Sequence, residues 1–103
     1  MGTLEAEFTD AMYTTYEEGK KRGYYPTYFL QMLGKYDGVE TAKRLLAKRE
    51  IQTGLMKLYE LDLLDSSMEA YVIKERYKSL FTEEEVAEAR RRLEELGYFR
   101  EKE

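Results

Sequence analysis

Residues 24–46, YYPTYFLQMLGKYDGVETAKRLL, decide how the rest of this chain folds. They hold the only proline of the sequence, Pro26, and an Asp-Gly break at Asp37 inside the densest apolar pattern. Proline has a fixed φ and no amide hydrogen, so Pro26 suits the first turn of a helix. Asp37 marks a second start, since its side chain can accept from first-turn amides while Glu40 reaches back in a capping box. We therefore expect two helices joined by a short turn.

The apolar pattern gives each of these helices a different environment. The first is apolar over more than half of its circumference, so we expect it to be the most buried helix of the fold. The second should run to about Arg49, with one inner apolar face and a pair between Glu40 and Arg44 worth about 0.2–0.5 kcal/mol.

Upstream, apolar residues at spacings of three and four predict a helix from about Leu4 to Arg22, capped by Thr3 and stopped by Gly23. An alternative start has Thr9 as the cap. Gly19 is small enough for another element to pack closely against this helix.

Downstream, the pattern predicts three further helices. Thr53 caps a short one, and a buried connector follows from Asp62 to Asp65. Ser66 with Glu69 forms a capping box that opens a helix through about Arg76. In the last helix Thr82 caps with Glu85, and Arg90, Arg91 and Arg92 follow glutamates at pairing distances. After the stop at Gly97, Tyr98 and Phe99 should fold back as a clamp, and the tail 100–103 should be disordered.

The fold class is therefore all-α, a compact orthogonal bundle of five or six short helices in a single domain. The domain covers residues 1–103, with its core at about 4–99. One hydrophobic core should contain Phe29, Leu30, Leu33, Val39, Leu46, Leu58, Ile73, Val86 and Leu93.

Composition narrows the possible functions. The chain has 103 residues, of which 37% are charged, and its net charge is −4. Cysteine and histidine are absent, which removes the commonest metal ligands and every Ser-His or Cys-His arrangement. Apolar runs near 20 residues are also absent, so we expect no membrane span and a cytoplasmic protein. Asparagine is missing as well, which fits a thermostable protein.

Four segments together resemble a family of small, mostly uncharacterised bacterial helical domains. They are GYYPTYFLQML, DGVETAKRLL, GLMKLYELDLLDSSMEAYVI and LFTEEEVAEARRRLEELGY. The resemblance implies a stand-alone domain or one associated with nuclease or defence-type modules, and it brings no catalytic residues. The family often carries an aromatic-Glu-Arg-Gly-Arg-Leu-Asp-Leu type segment where this chain has 59–65, YELDLLD. The missing Gly and Arg weaken any function assigned to that loop.

Two groups of side chains are candidate sites. Tyr24, Tyr25 and Tyr28 form a cluster that could dock a protein partner, because tyrosine offers apolar area and a polar tip, or could instead seal the core. Lys43, Arg44, Lys48 and Arg49 form a basic surface that could bind phosphate backbones or an acidic partner, and Lys20, Lys21 and Arg22 could join it. A solvated helix face with ion pairs explains the basic surface equally simply.

We interpret the chain as a non-enzymatic protein-interaction module with no cofactor. Carboxylates such as Glu17 and Glu18 lie at helix starts and solvent faces, where capping and solubility explain them. An accessory nucleic-acid-binding domain is the alternative, although the helices around Asp37 lack the base-reading side chains of a helix-turn-helix. A structural or self-associating domain is the third option.

Overall fold

Five α-helices form the fold in a computed structural model that describes residues 3–48 and 53–99. In chain order they are α1 (Leu4–Lys21), α2 (Thr27–Leu46), α3 (Thr53–Glu60), α4 (Met68–Val72) and α5 (Glu83–Glu95). Two 3-10 turns, Leu64–Ser66 and Lys78–Leu80, lie on either side of α4. These described residues contain no strand, which confirms the all-α class.

Local capping sets the ends of α1 and α5. The Thr3 hydroxyl accepts from the Ala6 amide at 3.0 Å, so α1 begins at Leu4 and the alternative start at Thr9 is wrong. Thr82 and Glu85 form the complete capping box of α5, with bonds of 3.1 and 2.9 Å. Both helices stop where predicted, at glycines with φ of 83° and 76°. The predicted ends of α1 and α5 are therefore confirmed. Sequence could predict them because each end depends on residues within one helical turn.

The break predicted at Asp37 divides α2 into two helical segments. Asp37 has φ 74° and ψ −179°, a region of backbone space that is otherwise almost exclusive to glycine and costs about 1–3 kcal/mol. Its carboxylate accepts from the Glu40 amide at 3.0 Å, as a cap of the second segment. Glu40 does not complete the box as expected, since its carboxylate instead pairs with Arg44 at 3.0 Å.

Gly38, the next residue, is where the second segment touches α1. Its amide donates to the Thr9 hydroxyl at 2.9 Å. A Cβ atom at Gly38 would lie 2.6 Å from the Thr9 Cα atom, closer than real atoms approach. The absence of a side chain therefore lets the two backbones meet.

The hydrophobic interior consists of two clusters where we had expected one core. In the larger cluster, the Phe8 ring meets Tyr77 and Phe81 edge to face at 5.3 and 5.2 Å. The smaller cluster contains Leu55, Leu64, Ala70 and Leu93. Half-buried Ile73 packs against both. The clamp is confirmed, since Tyr98 and Phe99 pack on the smaller cluster.

The most buried helix is α4, so the expectation for the first segment of α2 is wrong. Four of the five α4 residues are buried, whereas that segment buries only Met32 and Leu33 before Asp37. Short α4 is surrounded because it packs against both α1 and α5.

Between residues 62 and 76 several predictions are wrong. The cap of α4 is Ser67, whose hydroxyl accepts from the Ala70 amide at 3.1 Å, and α4 ends at Val72, well before Arg76. Ser66 belongs to a 3-10 turn, which shifts the helix start by one residue. Arg76 reaches across to Glu7 on α1, so a tertiary ion pair replaces the expected helical turn. Of the expected buried connector, Leu64 is buried while both aspartates are exposed.

Some expectations fall on residues whose structure is not described. Arg49 of the basic surface and the tail 100–103 lie outside the described residues. Thr53 lies within α3 as its first residue, so its assignment as the cap of that helix is wrong. Within the described ranges, no helix combines the length and the apolar character needed to cross a bilayer.

Gly38→Ala should lower the free energy of unfolding by about 1–3 kcal/mol, because the added methyl group forces the α1 and α2 backbones apart. The matched control is Gly34→Ala in the first segment of α2, where a Cβ atom would have no neighbour within 4 Å. It should raise stability by about 0.5–1 kcal/mol. Urea denaturation of both variants checks this pair, and equal effects would contradict the close contact at Gly38.

Candidate functional site

The three tyrosines predicted as a docking site are not equivalent. Tyr25 and Tyr28 are exposed, with 56% and 65% of their surface accessible. Tyr24 is half-buried and lies over Gly19, where a Cβ atom would come within 3.2 Å of the tyrosine ring. This burial raises the pKa of the Tyr24 hydroxyl. The Tyr25 and Tyr28 rings are therefore accessible to a partner, whereas the Tyr24 ring packs against α1.

A cavity of about 340 Å³ opens beside these rings. Tyr24 lines it from the turn before α2, Tyr28 and Phe29 from the start of α2, Leu55 and Leu58 from α3, and Glu69 from α4. We call this space the tyrosine cavity. Its volume is at the lower end of the range of roughly 300–1,000 Å³ that small-molecule sites occupy, and most of its wall is apolar.

Glu69 is the one carboxylate in the described wall of the tyrosine cavity. The residue is only 3% exposed. Arg92 donates from Nη1 to Glu69 Oε2 at 3.1 Å, and within the described part of the chain it is the only side chain that does so. Burial raises the pKa of Glu69 in spite of this partner. The cavity therefore has a mostly apolar wall with a single buried acid, which is paired with Arg92.

Arg92 is fully buried and joins three helices. Its Nε atom donates to Glu88 Oε2 at 2.7 Å. Its Nη2 atom donates to the carbonyl oxygens of Leu45 and Leu46 at 3.0 and 3.4 Å. The last carbonyls of a helix lack intrahelical partners, so the guanidinium satisfies the end of α2 while it binds α4 through Glu69.

The charges around Arg92 are unevenly shared. Glu88 accepts from Arg92 and also from Arg91, whose Nη2 atom lies 2.6 Å from Glu88 Oε2. Hydrogen bonds from Arg91, and then from Arg92, lower the pKa of Glu88 to about 2. We call Arg91, Arg92, Glu69 and Glu88 the arginine network. Glu88 thus has two guanidinium partners, whereas Glu69 shares one.

The residues of the predicted basic surface lie at the carboxyl end of α2 and are largely paired. Lys43 is 2.8 Å from Glu85 and lies over the Phe81 ring at 5.4 Å. Arg44 pairs with Glu40 and stacks on Tyr36 at 4.0 Å. Lys48 is exposed. The carboxylates reduce the positive field that this surface can present to an anion.

The second basic run, at the carboxyl end of α1, has partners of its own. Lys21 pairs with Glu18 at 3.2 Å, and Arg22 donates to the Leu61 carbonyl at 3.1 Å. That this run joins the basic surface at the end of α2 stays a prediction.

Sequence reasoning missed the roles of Glu69 and Arg92. Glu69 was assigned to a capping box, and Arg92 to pairs with glutamates on its own helix. One signal was present: Arg92 follows Ala89 by three residues and precedes Leu93, so it lies on the inward stripe of α5. A cation at such a position implies a buried acceptor.

In the described parts of the chain, no group of three or more acidic side chains could hold a metal ion. Scans against protein-family models, curated proteins and solved structures find no match to this chain. The resemblance to small bacterial helical domains therefore stays a prediction.

Arg92→Met should lower the free energy of unfolding by about 3–5 kcal/mol, because it leaves buried Glu69 without its cation. Arg90→Met is the matched control two residues away. Arg90 is exposed and lies over the Phe99 ring at 5.2 Å, a contact worth about 0.5–1 kcal/mol. Thermal or urea unfolding measures both, and a small effect at Arg92 would contradict its assigned place in the fold.

The lowered pKa of Glu88 predicts an acid-dependent contribution to stability. A carboxyl group whose pKa falls on folding stabilises the native state above its unfolded pKa, and this stabilisation is lost as pH falls through the folded value. The stability difference between the wild-type chain and Glu88→Gln should therefore shrink between about pH 4.5 and about pH 2. Glu94→Gln, at an exposed position of α5, should show a smaller pH dependence in the same urea titrations.

Proposed function

We propose that this protein is a non-enzymatic binding domain that docks a partner protein at the tyrosine cavity. The observation that carries the proposal is the position of Tyr28, which lines the cavity while 65% of its surface remains exposed. A partner that covers this ring would also close the cavity.

Exposed apolar side chains around the tyrosine cavity support docking. Tyr25 precedes the cavity-lining residues of α2, and Met56 and Tyr59 are exposed on α3, which contributes Leu55 and Leu58 to the cavity wall. Aromatic residues are enriched at protein interfaces because they bury a large area at low entropic cost. The rings offer contact area, and the cavity offers a pocket for an anchoring side chain.

The polar groups of the cavity support binding in preference to chemistry. The Thr15 hydroxyl already donates to the Ser66 carbonyl at 2.6 Å. Glu69 is held by Arg92. A nucleophile needs an adjacent base within hydrogen-bond reach, and these contacts direct both groups towards structural partners.

The alternative, an accessory nucleic-acid-binding domain, stays a prediction with less support. Lys43 and Arg44 each have a carboxylate within 3.0 Å. A phosphate backbone would have to displace those carboxylates, which weakens the attraction.

Tyr28→Ser should weaken partner capture at least about tenfold, as truncation of an interface anchor does. Affinity purification of the tagged full chain from its native host identifies the partner, and titration of that partner measures the loss. Stability should change little, because the ring is mostly exposed. Tyr13→Ser is the matched control, since Tyr13 is 38% exposed on α1 and does not line the cavity.

Equal losses in the two variants would contradict docking at the tyrosine cavity. Recovery of a second copy of this chain as the only partner would favour the self-associating option. Retention of nucleic acid that falls with rising salt, and is lost on charge reversal of Lys43, Arg44 and Lys48, would favour the alternative.

A further inference from the structure

Building on the proposed function, we propose that the anchor entering the tyrosine cavity is a lysine side chain of the partner, whose ammonium group pairs with Glu69. The apolar wall would hold the hydrocarbon stem, and the acid would receive the charged tip. The sequence predicted Glu69 only as part of a capping box.

Charge complementarity is the first argument. Glu69 is the one carboxylate among the described residues that line the cavity, and no cation joins it in that wall. Behind it, Arg92 is divided between Glu69 and Glu88. A second cation would therefore complete the pairing of a buried acid. The net charge of −4 also favours approach of a basic partner over an acidic one.

The shape of the acceptor favours lysine over arginine. Arg92 already donates to Glu69 Oε2, and a second guanidinium would bring five donors, against three for an ammonium, each of which needs an acceptor where the wall is mostly apolar. An ammonium is a compact charge that can use the remaining oxygen alone. Its other two protons need acceptors, and Thr15 and Tyr24, whose hydroxyl oxygens can accept, line the same cavity.

The aromatic wall is the second argument. Tyr24, Tyr28 and Phe29 line the cavity. The faces of aromatic rings attract ammonium groups, and they attract them more strongly when water is excluded. The ammonium group of an entering lysine would therefore be attracted to these rings as well as to Glu69. The raised pKa of Glu69 agrees with this assignment, since burial without a second cation disfavours its ionised form.

The test compares two probes that share an unbranched stem, N-acetyl-lysine methylamide and N-acetyl-norleucine methylamide. Chemical-shift titration of the full chain at neutral pH follows the resonances of Leu55 and Met68 in the cavity wall. The lysine probe should bind about tenfold more tightly, since it adds a charge-assisted hydrogen bond to the contacts of the shared stem. In Glu69→Gln this ratio should fall to about one, because Gln keeps an acceptor for Arg92 and loses the charge.

Glu94→Gln is the control for net charge, since it removes the same charge from an exposed position, and it should leave the ratio unchanged. If Glu69→Gln fails to fold, the comparison of probes in the wild-type chain still decides. Equal binding of the two probes would overturn the lysine assignment and leave an apolar cavity for the proposed function. Binding of neither probe would also overturn it, and the Tyr28→Ser capture experiment would then decide the docking proposal separately.

Discussion

The buried guanidinium of Arg92 is the constraint on which the rest of the structure depends. A fully buried cation requires acceptors on every side, because an unpaired charge in a protein interior is very unfavourable. The chain supplies them from α2, α4 and α5. Each of these helices must therefore be placed so that its acceptor reaches the guanidinium group of Arg92. This requirement explains why a helix as short as α4 keeps a fixed place: its Glu69 is held from α5.

The break at Asp37 separates the two segments of α2. The second segment carries the Leu45 and Leu46 carbonyls that accept from Arg92. Asp37 adopts a conformation that favours glycine, yet glycine would lack the side chain that caps the second segment at Glu40. The cap offsets part of the backbone strain. The contact between Gly38 and Thr9 then holds the redirected segment against α1, so one break serves both packing and charge pairing.

The features that sequence predicted are those with local causes. Thr3, Thr82 with Glu85, and Asp37 each act on amides three residues away, and all three caps are present. Features that depend on distant partners were missed. The cap is Ser67 and not Ser66, because Ser66 belongs to a 3-10 turn. Arg76 lies outside the helix that was predicted to include it and pairs with Glu7 on α1. The candidate site was half predicted: the tyrosines were identified from their clustering, whereas Glu69 became part of the cavity only through packing of four helices.

The position of Glu69 connects the stability of the fold to its proposed use. A buried ion pair is weak evidence for stability, because well-packed apolar residues of similar volume are often as stable or more so. Arg92 and Glu69 are therefore not needed merely to fill the interior. An apolar pair would leave the Leu45 and Leu46 carbonyls at the end of α2 without donors, which accounts for Arg92. Glu69 accepts from Arg92 Nη1 and so holds α4 against α5. Because the same acid lies in the cavity wall, binding of a cation there would act directly on the contact that holds α4.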